Sequence, residues 1–123
     1  MLMLPVSCKI FVSAEPCDMR RSFDRLAAMV QEILHQSPFS GHLFVFRGRR
    51  NDRVKILYWE RGGFAIWYRR LEEGAFKFPS KLEACYEMEP AELALLLEGI
   101  DLAGAKRRKL FVPKAEAATA PTF

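Results

Sequence analysis

The clearest periodic pattern in the chain is helical and lies between residues 18 and 35. Apolar residues recur there at spacings of three and one, which places them on one face of an α-helix. Asp18 is suited to cap the start of this helix by accepting backbone N–H bonds, and Pro38 disfavours helix just beyond its end. The apolar stripe consists of Phe23, Leu26, Ala27, Val30, Ile33 and Leu34.

On both sides of this helix the pattern changes to the alternation of β-strands. A β-branched and aromatic run predicts a strand over about residues 9–13. Residues 42–70 contain three further runs joined by the short turns "GRRND" and "RGG", which predicts an antiparallel meander. Residues 83–90 fit a short edge strand, and Pro90 and Gly99 bracket a second helix.

These elements predict an α+β fold: an antiparallel β-meander of three to five strands packed with two helices in a single small domain. The domain is expected to span residues 1–102. Residues 103–123 form a basic, Ala- and Pro-rich tail, which we expect to be partly disordered. A chain of 123 residues can bury enough surface to fold without a disulfide or a metal.

The predicted second and third strands of the meander carry large apolar groups at both odd and even positions. Trp59 and Tyr58 alternate on one strand, as do Trp67 and Tyr68 on the next. A sheet with one wet face would alternate cleanly between apolar and polar residues. The sheet is therefore either covered on both faces or leaves an aromatic face for a partner, and we expect a partly exposed face that is both aromatic and basic.

The positive charge of the chain is concentrated in the same hairpins. The whole chain has a net charge of +4, whereas residues 47–70 hold eight basic residues against two acidic ones, a net charge of +6. Such a local excess indicates an anionic partner. A basic hairpin that is simply solvated, and that deters edge-to-edge strand pairing, is the alternative interpretation.

Catalytic and metal-binding signatures are weak in this sequence. His35 and His42 do not pair with a cysteine at a usual ligand spacing, and no phosphate-binding glycine loop is present. We therefore predict no metal site, no cofactor, no catalytic residue and no enzymatic activity. A metal-dependent nuclease is the residual enzymatic alternative, since carboxylates such as Asp52 and Glu60 are present in the basic segment.

Nucleic-acid binding has more support, because arginine forks grip phosphates and aromatic rings stack on bases. The tail cluster of residues 106–109 offers a second basic contact, or only a solubilising one. Trp59, Trp67 and Tyr68 are the candidate aromatic surface; they also suit a core, and we expect one of the three to be exposed. The candidate nucleic-acid-binding residues are Arg47, Arg49, Arg50, Arg53, Lys55, Arg61, Arg69 and Arg70.

Three long motifs also resemble those of a known protein family. The stretches "DMRRSFDRLAAMVQE", "PFSGHLFVFRGRRNDRVKILYWERGGFAIWYRRLEEGAFKFP" and "LLLEGID" are similar to TnpB, the second-reading-frame accessory protein of the sixty-six family of bacterial insertion sequences. The resemblance covers about residues 9–102. It implies a role in transposition beside a separate DDE transposase, and it carries no catalytic assignment onto any residue of this chain.

Besides the residual nuclease, one other function stays open beside DNA binding at the ends of the element. The protein is either a DNA-binding subunit or a protein adaptor, which would contact the transposase or other element-encoded proteins without touching DNA.

The three cysteines, Cys8, Cys17 and Cys85, form no C-x-x-C pair and fit a reducing compartment. With no run of about 18 apolar residues we expect no membrane partner and a cytoplasmic location.

Overall fold

The computed structural model describes residues 8–99 and Pro113, and within them a five-stranded sheet with two helices. Apart from Pro113, the predicted tail lies outside the described residues. None of the described helices has the length and apolar character needed to cross a lipid bilayer. In chain order the elements are β1 (Ile10–Ser13), α1 (Phe23–Glu32), β2 (Leu43–Arg47), β3 (Arg53–Glu60), β4 (Gly63–Arg70), β5 (Cys85–Met88) and α2 (Pro90–Glu98).

The strands lie in the order β4-β3-β2-β1-β5. The three-strand meander is confirmed, since β2 pairs antiparallel with β3, and β3 with β4. The predicted short edge strand, β5, pairs antiparallel with β1. The expectation of a purely antiparallel sheet is wrong, because β1 pairs parallel with β2. A parallel neighbour needs a crossover connection, and α1 provides it.

Both faces of the central strands are covered. On one face, Leu26, Met29 and Val30 of α1 form a core with Phe44 and Leu57, which we call the α1-face core. On the other face, Leu93 and Leu96 of α2 form the α2-face core with buried residues of β1, β2 and β3: Ile10, Val12, Leu43, Val45, Val54 and Ile56. The expected exposed face is therefore wrong for the centre of the sheet. Among the described strands, only β4, an edge strand, lacks a buried residue along its whole length.

Helix α1 differs from its prediction at both ends. Its N-cap is Ser22, and Asp18 does not cap it. Asp18 instead accepts a hydrogen bond from the backbone N–H of Arg20 at 2.9 Å, which closes a tight turn before the helix. Leu26, Val30 and Leu34 of the predicted stripe are buried, whereas Phe23 and Ile33 are exposed.

Helix α2 begins and ends as the sequence predicts. Pro90 is its first residue, and Gly99 follows the last turn with a φ of 85°, a conformation that glycine adopts without strain. Glu89 and Glu92 form a reciprocal capping box at the start of the helix. Leu93 and Leu96 can therefore be held against the sheet by a helix of only nine residues.

Candidate functional site

One end of the sheet gathers most of the basic loops. Because β1 and β2 are parallel, the C-terminal ends of both lie at this end of the sheet. The antiparallel pairings place the starts of β3 and β5 and the end of β4 there as well. Three loops lie at this end: residues 14–22 connect β1 to α1, residues 48–52 connect β2 to β3, and residues 71–84 connect β4 to β5. We call this the basic end of the sheet, and the opposite end of the strands the far end.

A groove of about 680 Å³ opens at the basic end, between residues 16–21 on one side and residues 48–53 on the other. We call it the basic groove. Its walls carry two aspartates, Asp18 and Asp52, against five arginines, so the groove has a net charge of +3. The arginines are Arg20, Arg21, Arg49, Arg50 and Arg53.

Part of this charge is neutralised within the groove wall. The Arg20 guanidinium donates hydrogen bonds to both carboxylate oxygens of Asp18, with the shortest N–O distance at 2.7 Å. These bonds, together with the one from the Arg20 backbone, hold the pKa of Asp18 well below its usual range. Both side chains are solvent-exposed, and exposed ion pairs of this kind contribute little to stability.

The wall of residues 16–21 is tied to the sheet by a buried lysine. Lys55 is 7% exposed, and its Nζ donates a hydrogen bond to the Arg21 carbonyl at 2.7 Å. The same ammonium lies 4.8 Å from the centroid of the Tyr68 ring, a cation–π distance. On the other side of the wall, the Cys17 N–H donates to the Arg47 carbonyl at 2.8 Å. The groove is therefore held open by internal bonds.

The opposite wall is the β2–β3 turn, which exposes Arg49 and Arg50 at its tip. The turn is closed by bonds from the Gly48 N–H to the Arg53 carbonyl at 3.0 Å and from the Asn51 N–H to the Gly48 carbonyl at 3.1 Å. Asn51 has a φ of 59°, which asparagine tolerates better than most residues. These backbone hydrogen bonds fix the conformation of the turn and thereby the backbone positions of Arg49 and Arg50.

Comparison with known proteins identifies the group to which the chain belongs. A family model described as IS66 Orf2 like protein matches residues 8–107, which include both walls of the basic groove. The chain belongs to this family. It is thus an accessory protein of an insertion sequence. No solved structure gives a significant match.

Two relatives of this accessory protein come from Sinorhizobium fredii (strain NBRC 101917 / NGR234). The chain is 36% identical over 105 residues to the protein named Uncharacterized protein y4jC, covering 85% of this chain and 90% of that protein. It is 38% identical over 93 residues to Uncharacterized protein y4hO, covering 76% of this chain and 81% of that protein. Their names assign no activity.

The structure brings three of the eight candidate arginines and lysines together in the groove of this accessory protein: Arg49, Arg50 and Arg53. Arg53 pairs directly across the sheet with Arg70, and such like charges repel. Arg70 is also bonded to Glu72 at 2.7 Å, which offsets the repulsion. Arg70 therefore lies beside the groove with its charge already partnered.

The other four candidates lie elsewhere or serve the fold. Lys55 is the buried tie described above. Arg47 donates to the Ala14 carbonyl and to Asn51, and Arg69 lies on the α2 face, where it donates to the Leu97 carbonyl at 3.2 Å. Arg61 is in the β3–β4 turn at the far end, roughly 25 Å along the strand from the groove. Their roles in binding stay predictions.

The aromatic candidates do not share one surface. Trp59 lies on the α1 face and Trp67 packs against the α2-face core, so the single aromatic and basic platform is wrong in its aromatic part. Tyr68 is 47% exposed and the two indoles are half-buried, which confirms that one ring of the three is exposed. Trp59 forms instead a far-end aromatic cluster with Phe39 and Phe64, at ring-centroid distances of 5.0 and 4.9 Å.

Arg20 and Arg21 are groove residues that the sequence did not single out. With Asp18 as the expected start of the helix, both arginines of "DMRRSF" would fall within its first turn. Because Ser22 is the N-cap, both arginines belong to the loop before the helix. The serine in that motif is the signal that could have placed them, because serine is among the preferred N-cap residues. Within residues 8–99 and Pro113, no group of three or more His, Cys, Asp or Glu is placed to hold a metal ion.

Proposed function

We propose that this accessory protein binds DNA through the basic groove and assists a separate DDE transposase of the same element, without catalysing a reaction itself. The observation that supports the proposal is the juxtaposition of five arginines on two facing walls, with only Asp18 and Asp52 against them. Arginine holds phosphate oxygens in a bidentate way, and the fork is always charged. A groove with this lining suits a phosphate backbone.

The number of arginines in the groove sets how steeply the affinity for DNA is expected to fall with salt concentration. If only Arg49, Arg50 and Arg53 reach phosphates, the slope of log affinity against log salt is about −3 for a duplex, and if all five arginines do, about −5. Contacts of this kind carry no sequence information. We therefore expect binding to element ends and to unrelated duplexes of equal length with similar affinity.

The test is a fluorescence anisotropy titration of labelled duplex DNA at several salt concentrations. Removing two groove charges in the double variant Arg49→Ala/Arg50→Ala should reduce the slope by about 1.8. The matched control is Lys9→Ala/Arg25→Ala, which removes two exposed charges that lie outside the groove and outside the candidate binding residues, and it should leave the slope unchanged. Absence of wild-type binding at low salt, or an equal effect of both double variants, would refute the proposal.

The non-catalytic part of the proposal has its own test. Labelled DNA is incubated with the protein and Mg²⁺ or Mn²⁺, and we expect it to stay intact. Reproducible cleavage that a single carboxylate substitution abolishes, for example Asp52→Asn at the groove, would establish a metal-dependent nuclease instead.

A second function is favoured by the far-end aromatic cluster. Phe39 is 56% exposed and stands over Trp59 and Phe64, so an apolar, ring-rich patch faces solvent at the opposite edge from the groove. Aromatic residues are enriched where proteins meet. In this alternative the protein is an adaptor that contacts the transposase there. Co-purification that resists nuclease treatment, falls with Phe39→Ser and is unchanged in Arg49→Ala/Arg50→Ala would support it.

A further inference from the structure

A second cleft lies on the other side of the β2–β3 turn from the basic groove. Its volume is about 200 Å³, and it is walled by residues 78–81 on one side and by Arg47 and Asn51 on the other, with Ala14 and Tyr86 completing the lining. The turn of residues 48–52 therefore separates two clefts, with Arg49 and Arg50 in one and Asn51 in the other. We call this space the second cleft.

Arg47 is held in the wall of the second cleft with bonding capacity to spare. Its Nε donates to the Ala14 carbonyl at 3.0 Å, and its Nη1 donates to Asn51 Oδ1 at 2.9 Å. Its Nη2 also donates to the Ala14 carbonyl. A guanidinium has five N–H donors, so these three bonds fix the fork and leave two donors for a ligand.

Lys81 supplies a second cation to the same space. Its side chain is exposed, and its Nζ lies 5.7 Å from the centroid of the Tyr86 ring. At this distance and exposure the cation–π attraction is weak, so the ammonium is free to turn toward an anion. Ser80, beside it in the lining, adds a hydroxyl that can donate a hydrogen bond.

The charged side chains that line the second cleft are both positive, which favours an anionic ligand. Its lining contains Arg47 and Lys81 and no carboxylate. Burial raises the pKa of Tyr86 to about 12, so its phenol stays neutral at physiological pH and does not oppose a negative ligand. Phe78 and Pro79 form an apolar wall against which a sugar can rest.

We propose that the second cleft binds a phosphate group of the same nucleic acid that occupies the basic groove, so that the backbone passes across the β2–β3 turn. The inference rests on the proposed DNA-binding function and adds a second contact site to it. The Arg47 guanidinium, already fixed by its three hydrogen bonds, and the exposed Lys81 ammonium contact the phosphate, and Ser80 donates a further bond. The bound segment then extends from residues 20–21 on one side of the turn to Lys81 on the other.

The experiment uses the full chain and the same labelled duplex, titrated over a series of salt concentrations. Lys81→Ala should reduce the salt slope by about 0.9, the effect of one lost phosphate contact. Lys81→Arg should retain the wild-type slope, because the charge is kept. Lys9→Ala is the matched lysine control: Lys9 is exposed, precedes β1 at the far end of the sheet and lines neither cleft, so the change should leave the slope unchanged.

Two further measurements separate this inference from the proposed function. Lys81→Ala in the Arg49→Ala/Arg50→Ala background should lower the slope by the same additional amount, since the two clefts are distinct contacts. If the wild-type protein binds and Lys81→Ala behaves like Lys9→Ala, the second cleft holds no phosphate while the groove proposal stands. If the wild-type protein binds no DNA at any salt concentration, both proposals are overturned.

Discussion

Replacing the buried Lys55 by methionine tests whether the wall of the basic groove is held as the structure indicates. Methionine has nearly the same shape and no charge, so Lys55→Met keeps the packing of the stem and removes only the ammonium. The change deletes the 2.7 Å bond to the Arg21 carbonyl and the contact with the Tyr68 ring. The Arg21 carbonyl loses its partner.

The magnitude follows from these two contacts. A hydrogen bond from a charged donor contributes about 1.5–3 kcal/mol. A cation–π contact adds about 0.5–2 kcal/mol. Against them stands the cost of desolvating an ammonium that is only 7% exposed, which methionine does not incur. We expect these terms to leave a net loss of about 1–3 kcal/mol in the free energy of unfolding for Lys55→Met.

The assay is urea denaturation followed by tryptophan fluorescence, with Lys9→Met as the exposed control. Lys55→Met should lower the urea midpoint with an unchanged m-value, whereas Lys9→Met should leave both unchanged. A double-mutant cycle with Tyr68→Leu should give a coupling energy of about 0.5–1 kcal/mol between the ammonium and the ring. A Lys55→Met protein as stable as the wild type, with no coupling in the cycle, would refute the described tie.

Three further predictions concern the rest of the site. Gly48→Ala places a Cβ 3.1 Å from Met19 Cγ and should cost about 1 kcal/mol of stability, whereas a Cβ at Gly63 meets nothing within 4 Å, so Gly63→Ala is the control; equal thermal shifts would contradict this reasoning. Burial raises the pKa of Tyr86 in the folded state to about 12, whereas its ordinary value is about 10. The neutral phenol therefore contributes fully to the free energy of unfolding below pH 10, and this contribution is lost as the pH rises through 12. Denaturation at alkaline pH should therefore show a steeper loss of stability in the wild type than in Tyr86→Phe, and parallel pH profiles would exclude the shift. Asp18→Ala removes a carboxylate from the basic groove and should raise duplex affinity in the anisotropy assay, while a fall would mean that the turn it closes positions the wall.

The elements of the fold were largely accessible from local pattern. Pro90 and Gly99 placed α2 correctly, because each acts through its own backbone at the residue where it stands. The parallel pairing of β1 with β2 was not accessible in this way. It depends on contacts between residues 10–12 and 43–45, which are more than thirty positions apart, and no local signal encodes that register.

The site was predictable in composition but not in arrangement. The charge count located the β2–β3 turn, and Arg49, Arg50 and Arg53 do line the groove. The facing wall came from another part of the chain, and only tertiary structure brings Arg21 opposite the turn. Lys55 shows the limit of counting charges, since an ammonium buried and bonded to a backbone carbonyl is not available to contact a phosphate.

The distribution of charge and aromatic rings gives the molecule two unlike ends. Because β1 and β2 are parallel, the loops that follow them lie at the same end of the sheet, and these loops form both walls of the basic groove. The aromatic cluster around Phe39 lies at the far end, next to the β3–β4 turn. A ligand that neutralises one end does not cover the other. In the proposed function, DNA occupies the basic end, and the rings stay available to a protein of the same element. An accessory subunit of this kind would join DNA and transposase through separate surfaces, so that Phe39→Ser should spare DNA binding and Arg49→Ala/Arg50→Ala should spare the protein contact.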